Sequence, residues 1–406
     1  MTSSALPFTG MVVLDLTQIY NGPYATFLMA RAGATVIKIE PPGGEHLRKR
    51  VDGPTQAVTV PFAMLNANKQ SICLDLKNKK AREVFLSLVT KADVVVENFT
   101  PNTMDRLGLG ADILRELNPR LIYASSSGYG KTGPYRDFPA MDLAVQAMAG
   151  IITTTGFPNA EPAKTGPAVC DFMAGTHLYG AITTALLHRE RTGKGSTVEV
   201  SMMEAIYPSL ASNLGTHIPG DRSVKRTGNR HGGMGLAPYN VYACADGHLA
   251  IITSNDKHWN ALVAALNLQD LAQDHRFSTR SSRALNMDAL DAAITNITKG
   301  FTRDELITLL RRHRTPCAPV QEIDDVVNDP HLIARGALRN INHPLYGPIV
   351  VPESPLRFAE FANVPYEPSG ELGADTRTVL ASILNMPTDQ ANALAEKLEA
   401  AQGVAP

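Results

Sequence analysis

The chain has 406 residues, 44% of them apolar and 19% charged, and its 38 basic and 39 acidic side chains leave a formal net charge of −1. That length can bury at least one large core, and the composition excludes a disordered chain. The neutral balance gives no electrostatic case for nucleic acid or an anionic membrane, so cations serving a phosphorylated ligand must be local.

In chain order, Val12–Thr17 is a short β-rich apolar run punctuated by Asn21-Gly22-Pro23. Pro23 suits a first helical turn, and Tyr24–Arg31 continues with good helix formers. Gly33 ends that helix and Thr35–Glu40 reads as the next buried strand. The cycle repeats as helix Ala81–Leu88, strand Asp93–Glu97, helix Ala111–Leu117 and strand Leu121–Ser125. Strands separated by helices predict βαβ units and a largely parallel sheet. A glycine-rich loop through Gly128, Gly130 and Gly133 leads to helical stretches at Leu143–Ile151 and Asp171–Arg191, then to strand Thr197–Ser201. A basic, glycine-rich linker spans Gly220–Gly235, followed by a smaller α+β segment from Tyr239 to about Val320. A Pro- and Gly-rich extended return and two amphipathic helices, Thr376–Leu384 and Thr388–Ala400, close the chain. The expected division is 1–220, 221–325 and 326–406.

The opening MTSSALPFTG lacks the basic and apolar regions of a signal peptide, and no stretch approaches the ~20 apolar residues of a membrane span, so a cytoplasmic protein is expected. Cys73, Cys170, Cys244 and Cys317 are widely separated and read as reduced thiols. Gly-x-Gly-x-x-Gly after the first strand, Walker A, His-Glu-x-x-His and Gly-x-Ser-x-Gly are all missing, and the eleven histidines do not cluster at ligand spacing, so no metal is expected. The loop Ser125–Gly133 follows a strand, where ligands of open α/β sheets bind. Asp142 begins a helix-like segment, and local rules alone read it as a cap. Lys38, Arg48, Lys69 and Arg106 read locally as solvated charges.

Several segments in order carry a resemblance: Asp15–Gln18 with Gly22-Pro23, Gly33–Pro42, Asn66–Lys69, Asp93–Phe99, Arg106–Gly108, Asn118–Tyr123, Ser127–Gly130, Asp142 with Gln146, Asp171, and Leu187–Gly195. Together they resemble the class III CoA-transferases (CaiB/BaiF), the family of formyl-CoA transferase and carnitine CoA-transferase, which also holds α-methylacyl-CoA racemases. The resemblance implies a Rossmann-like parallel-sheet large domain formed by both chain ends, an inserted smaller α+β domain, and an interlocked homodimer. It implies small-molecule substrates and no permanently bound cofactor, coenzyme A and acyl-CoA being substrates. Gln18, Lys38, Asn66, Lys69, Asn98, Phe99 and Arg106 match segments that grip CoA, Arg48 and Gly130 stand near the substrate, and Gly232, Gly233 and Gly235 match a loop covering the active carboxylate.

The racemases place a histidine immediately before the aspartate, and here that position is Met141, which cannot move a proton. Asp171 matches their second group. The resemblance thus implies a transferase with Asp142 as nucleophile, passing through an aspartyl anhydride and an aspartyl-CoA thioester. Succinyl-CoA or another short acyl-CoA is the expected donor. A short dicarboxylate is the expected acceptor, from the cations His46, Arg48, Arg222, Arg226, Arg230 and His231. Racemisation and CoA transfer within one dicarboxylate are the alternatives.

Overall fold

The computed structural model describes residues 5–48, 59–220, 226–344, 346–361 and 364–402. Six strands, β1 (Val12–Asp15), β2 (Thr35–Glu40), β3 (Lys69–Cys73), β4 (Val94–Glu97), β5 (Ile122–Ser127) and β6 (Ser196–Ser201), form one sheet in the order β3-β2-β1-β4-β5-β6. Every ladder in it is parallel. The mixed α/β class and the parallel sheet agree with the sequence reading.

Both faces are covered, so the central strands carry apolar residues toward both faces rather than alternating apolar with exposed polar positions. Val13, Val94, Val96 and Ile122 bury on one face with residues of α1 (Asn21–Arg31), and Leu14, Ile37, Val95 and Tyr123 bury on the other with residues of α2 (Lys79–Val89). The period of two along each strand supplies both sets. Each such Val or Ile contributes roughly 1.5–3 kcal/mol on burial. β3 escapes the sequence reading because it is an edge strand with only Ile72 and Cys73 apolar. The expected extended return contains an antiparallel hairpin, Leu338–His343 with Gly347–Pro352.

The described residues cluster into two units. One takes in the chain up to Val145, Pro167–Ile206 and the chain from Pro330 onward. Within it, Asp375 accepts the Ser71 N–H at 2.7 Å and Arg31 pairs with Glu353 at 2.6 Å, so C-terminal segments are fastened to β3 and α1. The other unit takes in Gln146–Gly166 and Tyr207–Asp329. Its antiparallel sheet of Tyr239–Cys244, Gly247–Ile252 and Cys317–Pro319 packs into a core with Trp259, Leu262, Leu290 and Leu306. Among the described residues, no helix is long and apolar enough to cross a membrane, and no group of three His, Cys, Asp or Glu is placed to hold a metal ion.

Candidate active site

Strand order reverses between β1 and β4, and the loops leaving their carboxyl ends diverge there to open a crevice. The two loops are tied by reciprocal bonds: the Gln18 N–H donates to Asn98 Oδ1 and Asn98 Nδ2 donates to the Gln18 carbonyl, both at 2.8 Å. Ile19 sits in the left-handed region at φ 65°, a conformation that costs a β-branched residue of order 1–3 kcal/mol.

What holds this turn is a buried charge cluster beneath it. Asp15, inaccessible to solvent, accepts from Lys69 Nζ at 2.9 Å, the Thr17 N–H at 2.9 Å and Thr26 Oγ1 at 2.7 Å. Burial pushes its carboxyl up, but Lys38, Lys69 and the two threonine hydroxyls outweigh that and hold it well below the carboxylate range. Lys38 donates to the Thr17 carbonyl. Burial pushes Lys69 down to about 8 against the attraction of Asp15.

Two further helices complete the site. A short one, α3 (Asp142–Met148), starts at Asp142 and a 24-residue one, α4 (Val169–Thr192), carries Asp171 in its first turn. Asp142 does cap a helix, but the helix is α4: its Oδ2 accepts the N–H groups of Cys170 at 2.8 Å and Asp171 at 3.1 Å. Those are two of the four N–H groups that a helix start leaves unpaired. The Asp171 carboxylate has no hydrogen-bond partner among the described residues, and the residue is 8% exposed. Burial, and then the charge of Asp142, raise it from the ordinary 3.8 to about 7. Burial first, then the same two carboxylates, push the Cys170 thiol up to about 12, which makes it inert.

Both aspartates line one cavity with Gln18, Asn21, Phe99 and Met141. Close packing sets its floor. A Cβ at Gly175 of α4 would lie 2.5 Å from the Asn21 carbonyl, so only glycine lets α4 approach the β1–α1 turn this closely. Tyr20 stacks on Phe172 at 5.8 Å from the same side. A second cavity, apolar with Ile39, Leu74 and Leu76 and bordered by His46 and Lys77, shares Gln18 and Phe99 with the first.

The sequence-derived candidates separate accordingly. Gln18, Asn98, Phe99 and Asp142 come together at the crevice, whereas Arg106 is exposed and donates to Thr103 at 2.8 Å. The side chains of Lys38, Asn66 and Lys69, expected at CoA, are buried and bonded to Asp15, Thr17 and one another. Arg48, expected near the substrate, is 5% exposed, forks onto Glu40 at 2.7 and 2.9 Å and stacks on Phe62. Gly130, at φ 86°, donates its N–H to Ser127 Oγ. Gly232, Gly233 and Gly235 belong to the second unit, where Gly233 donates to His231 Nδ1. There Arg226 donates to the Phe157 carbonyl, and Arg230 pairs with Asp288 and Asp291, which takes up its charge. Arg222 lies outside the described residues.

The chain matches the model of CoA-transferase family III over residues 8–376. The chain belongs to that family. It is 37% identical to the acetyl-CoA:oxalate CoA-transferase of Acetobacter aceti, covering 93% of this chain and 96% of that one. It is 38% identical to the succinyl-CoA:mesaconate CoA-transferase of Haloarcula hispanica, covering 86% and 89%. A CaiB/BaiF family protein from Brucella suis superposes with a TM-score of 0.83 at 33% identity, covering 94% of this chain and 100% of that one.

For this family III chain, sequence reasoning missed Asn21, whose Nδ2 donates to Ser126 at 2.9 Å while its buried Oδ1 faces no partner. Its place between a strand and Gly22-Pro23 marked it as punctuation only. It also gave Asp171 no role in transfer, though an acid in the first turn of the longest helix is a readable signal.

Proposed function

We propose that this chain transfers CoA from a short acyl-CoA, succinyl-CoA foremost, to a carboxylic acid acceptor, through an aspartyl anhydride and an aspartyl-CoA thioester. The observation that carries the reading is the carboxylate pair at the start of α4, one member taken up as a cap and the other buried without a partner. Oxalate and mesaconate in the names of relatives support a short dicarboxylate as acceptor.

Asp142, the residue singled out from the sequence, has an oxygen tied by two N–H donors, which lowers its nucleophilicity. Asp171 is desolvated and unpartnered, so its ionised form is the stronger nucleophile, and we assign it the acyl group. Its carboxylate attacks the thioester carbonyl, giving the anhydride and releasing the CoA thiolate. The thiolate, held by its nucleotide end in the adjoining apolar cavity, attacks the aspartyl carbonyl and frees the donor acid. The acceptor carboxylate then reverses both steps. Retention of CoA supplies the effective concentration that free thiolate lacks. Asp142 is the positioning residue: it fixes the start of α4 and holds the charge that keeps Asp171 reactive near neutral pH. Met141, which lines the cavity, leaves racemisation without a second proton carrier. The same chemistry serves transfer within one dicarboxylate. By its family likeness we also expect a cytoplasmic, interlocked homodimer.

The test is trapping during turnover with succinyl-CoA and a panel of carboxylates. Borohydride or hydroxylamine should label Asp171 in the parent and nothing in Asp171→Asn, with CoA still bound. Labelling of Asp142 would return the role to that residue, and labelling of neither would sink the covalent route.

A further inference from the structure

The cavity that holds Asp142 and Asp171 has one cationic side chain in its lining among the described residues, Arg136. The sequence reading never named it. It sits on a turn closed by the Phe138 N–H donating to the Tyr135 carbonyl at 2.9 Å, which puts Arg136 and Asp137 at the tip. The turn is stiffened by an aromatic cluster: Tyr129 meets Tyr135 at 6.1 Å and Phe138 at 6.3 Å, and Tyr135 meets Phe138 at 5.2 Å. Arg136 Nε donates to the adjacent Asp137 at 3.0 Å, and no partner among the described residues takes its two terminal nitrogens. Tyr129 and Phe138 line the same cavity and add apolar surface to it.

An acceptor acid must bring one carboxylate to the reacting aspartate. If it carries a second, that group enters a cavity already holding two acids, where an unpaired charge is strongly disfavoured. A guanidinium with free terminal N–H groups is the planar partner that a carboxylate binds bidentately. We propose that Arg136 is a specificity-determining residue that binds the distal carboxylate of a dicarboxylic acceptor, with Tyr129 and Phe138 against its carbon spine. The inference rests on the transferase reading and deepens it by naming the residue that recognises the acceptor's second carboxylate.

The experiment compares glutarate with butyrate, its equivalent lacking the distal carboxylate, as acceptors from succinyl-CoA, in the parent, Arg136→Gln and Arg136→Lys. Loss of a charge-assisted pair should raise the glutarate KM about 10- to 100-fold in Arg136→Gln, with partial recovery in Arg136→Lys. The butyrate KM should stay within about twofold and CoA affinity, by calorimetry, should not move. Equal losses for both acids, no loss for either, or weakened CoA binding would overturn the assignment, the last by making Arg136 a phosphate contact. A parent that exchanges CoA with no acid overturns the transferase reading and this inference together. Exchange indifferent to Arg136 overturns the inference alone.

Discussion

The proton on Asp171 offers a direct measurement of the proposed chemistry. With the carboxyl raised to about 7, chiefly by burial and secondly by Asp142, the nucleophilic anion forms as pH rises through neutrality. A single group with that midpoint is roughly a tenth ionised at pH 6 and nine-tenths at pH 8, so kcat/KM for CoA exchange should rise about tenfold over that interval. Asp142→Asn keeps an oxygen to cap α4 but removes the neighbouring charge. The midpoint should therefore fall, yet stay above the ordinary carboxylate range, because burial is untouched. The assay is exchange of isotopically labelled succinate into succinyl-CoA, followed by mass spectrometry from pH 5.5 to 8.5. A pH-independent rate in the parent, or an unmoved midpoint in Asp142→Asn, would refute the reasoning. The linkage gives a second reading of the same proton. A folded value above the unfolded 3.8 adds stability below about pH 4, and that contribution is lost as pH rises through about 7. Asp171→Asn should therefore be inactive yet more stable than the parent at pH 8, by about 2–4 kcal/mol in urea titration.

Three other substitutions separate structural from ligand roles. Lys69→Met leaves Asp15 buried beside one fewer cation and should cost about 3–5 kcal/mol in urea unfolding; a stable variant with only weaker CoA binding would restore Lys69 as a ligand. Arg48→Gln strands the buried Glu40 and should lower stability by a similar ~3–5 kcal/mol, whereas a pure rise in acceptor KM would mark it as a substrate contact. Gly175→Ala forces the β1–α1 turn away from α4, for about 1–3 kcal/mol, and should lower kcat through displaced Asn21 and Asp171; full activity would mean that this close approach does not set the site.

Much of this protein is written locally. The buried runs at Val94–Val96 and Thr35–Glu40, alternating with helices that start at Asn21-Gly22-Pro23 and end at Gly33, specify a parallel α/β sheet by hydrophobic period and turn chemistry alone. Strand β3 was illegible for the converse reason: at a sheet edge its polar residues find partners that only the fold supplies, Asp15 for Lys69 and Asp375 for the Ser71 N–H. The site divides in the same way. Motif order along the chain brought out Gln18, Asn98, Phe99 and Asp142, because the loops leaving β1 and β4 are continuous segments. Whether a cation reaches a ligand or an internal acid depends on residues far apart in sequence, and so only the tertiary structure turned Lys38, Lys69 and Arg48 inward. Asp142 and Asp171 are 29 positions apart; the fold alone made one the cap of the other's helix and left the second a desolvated carboxylate.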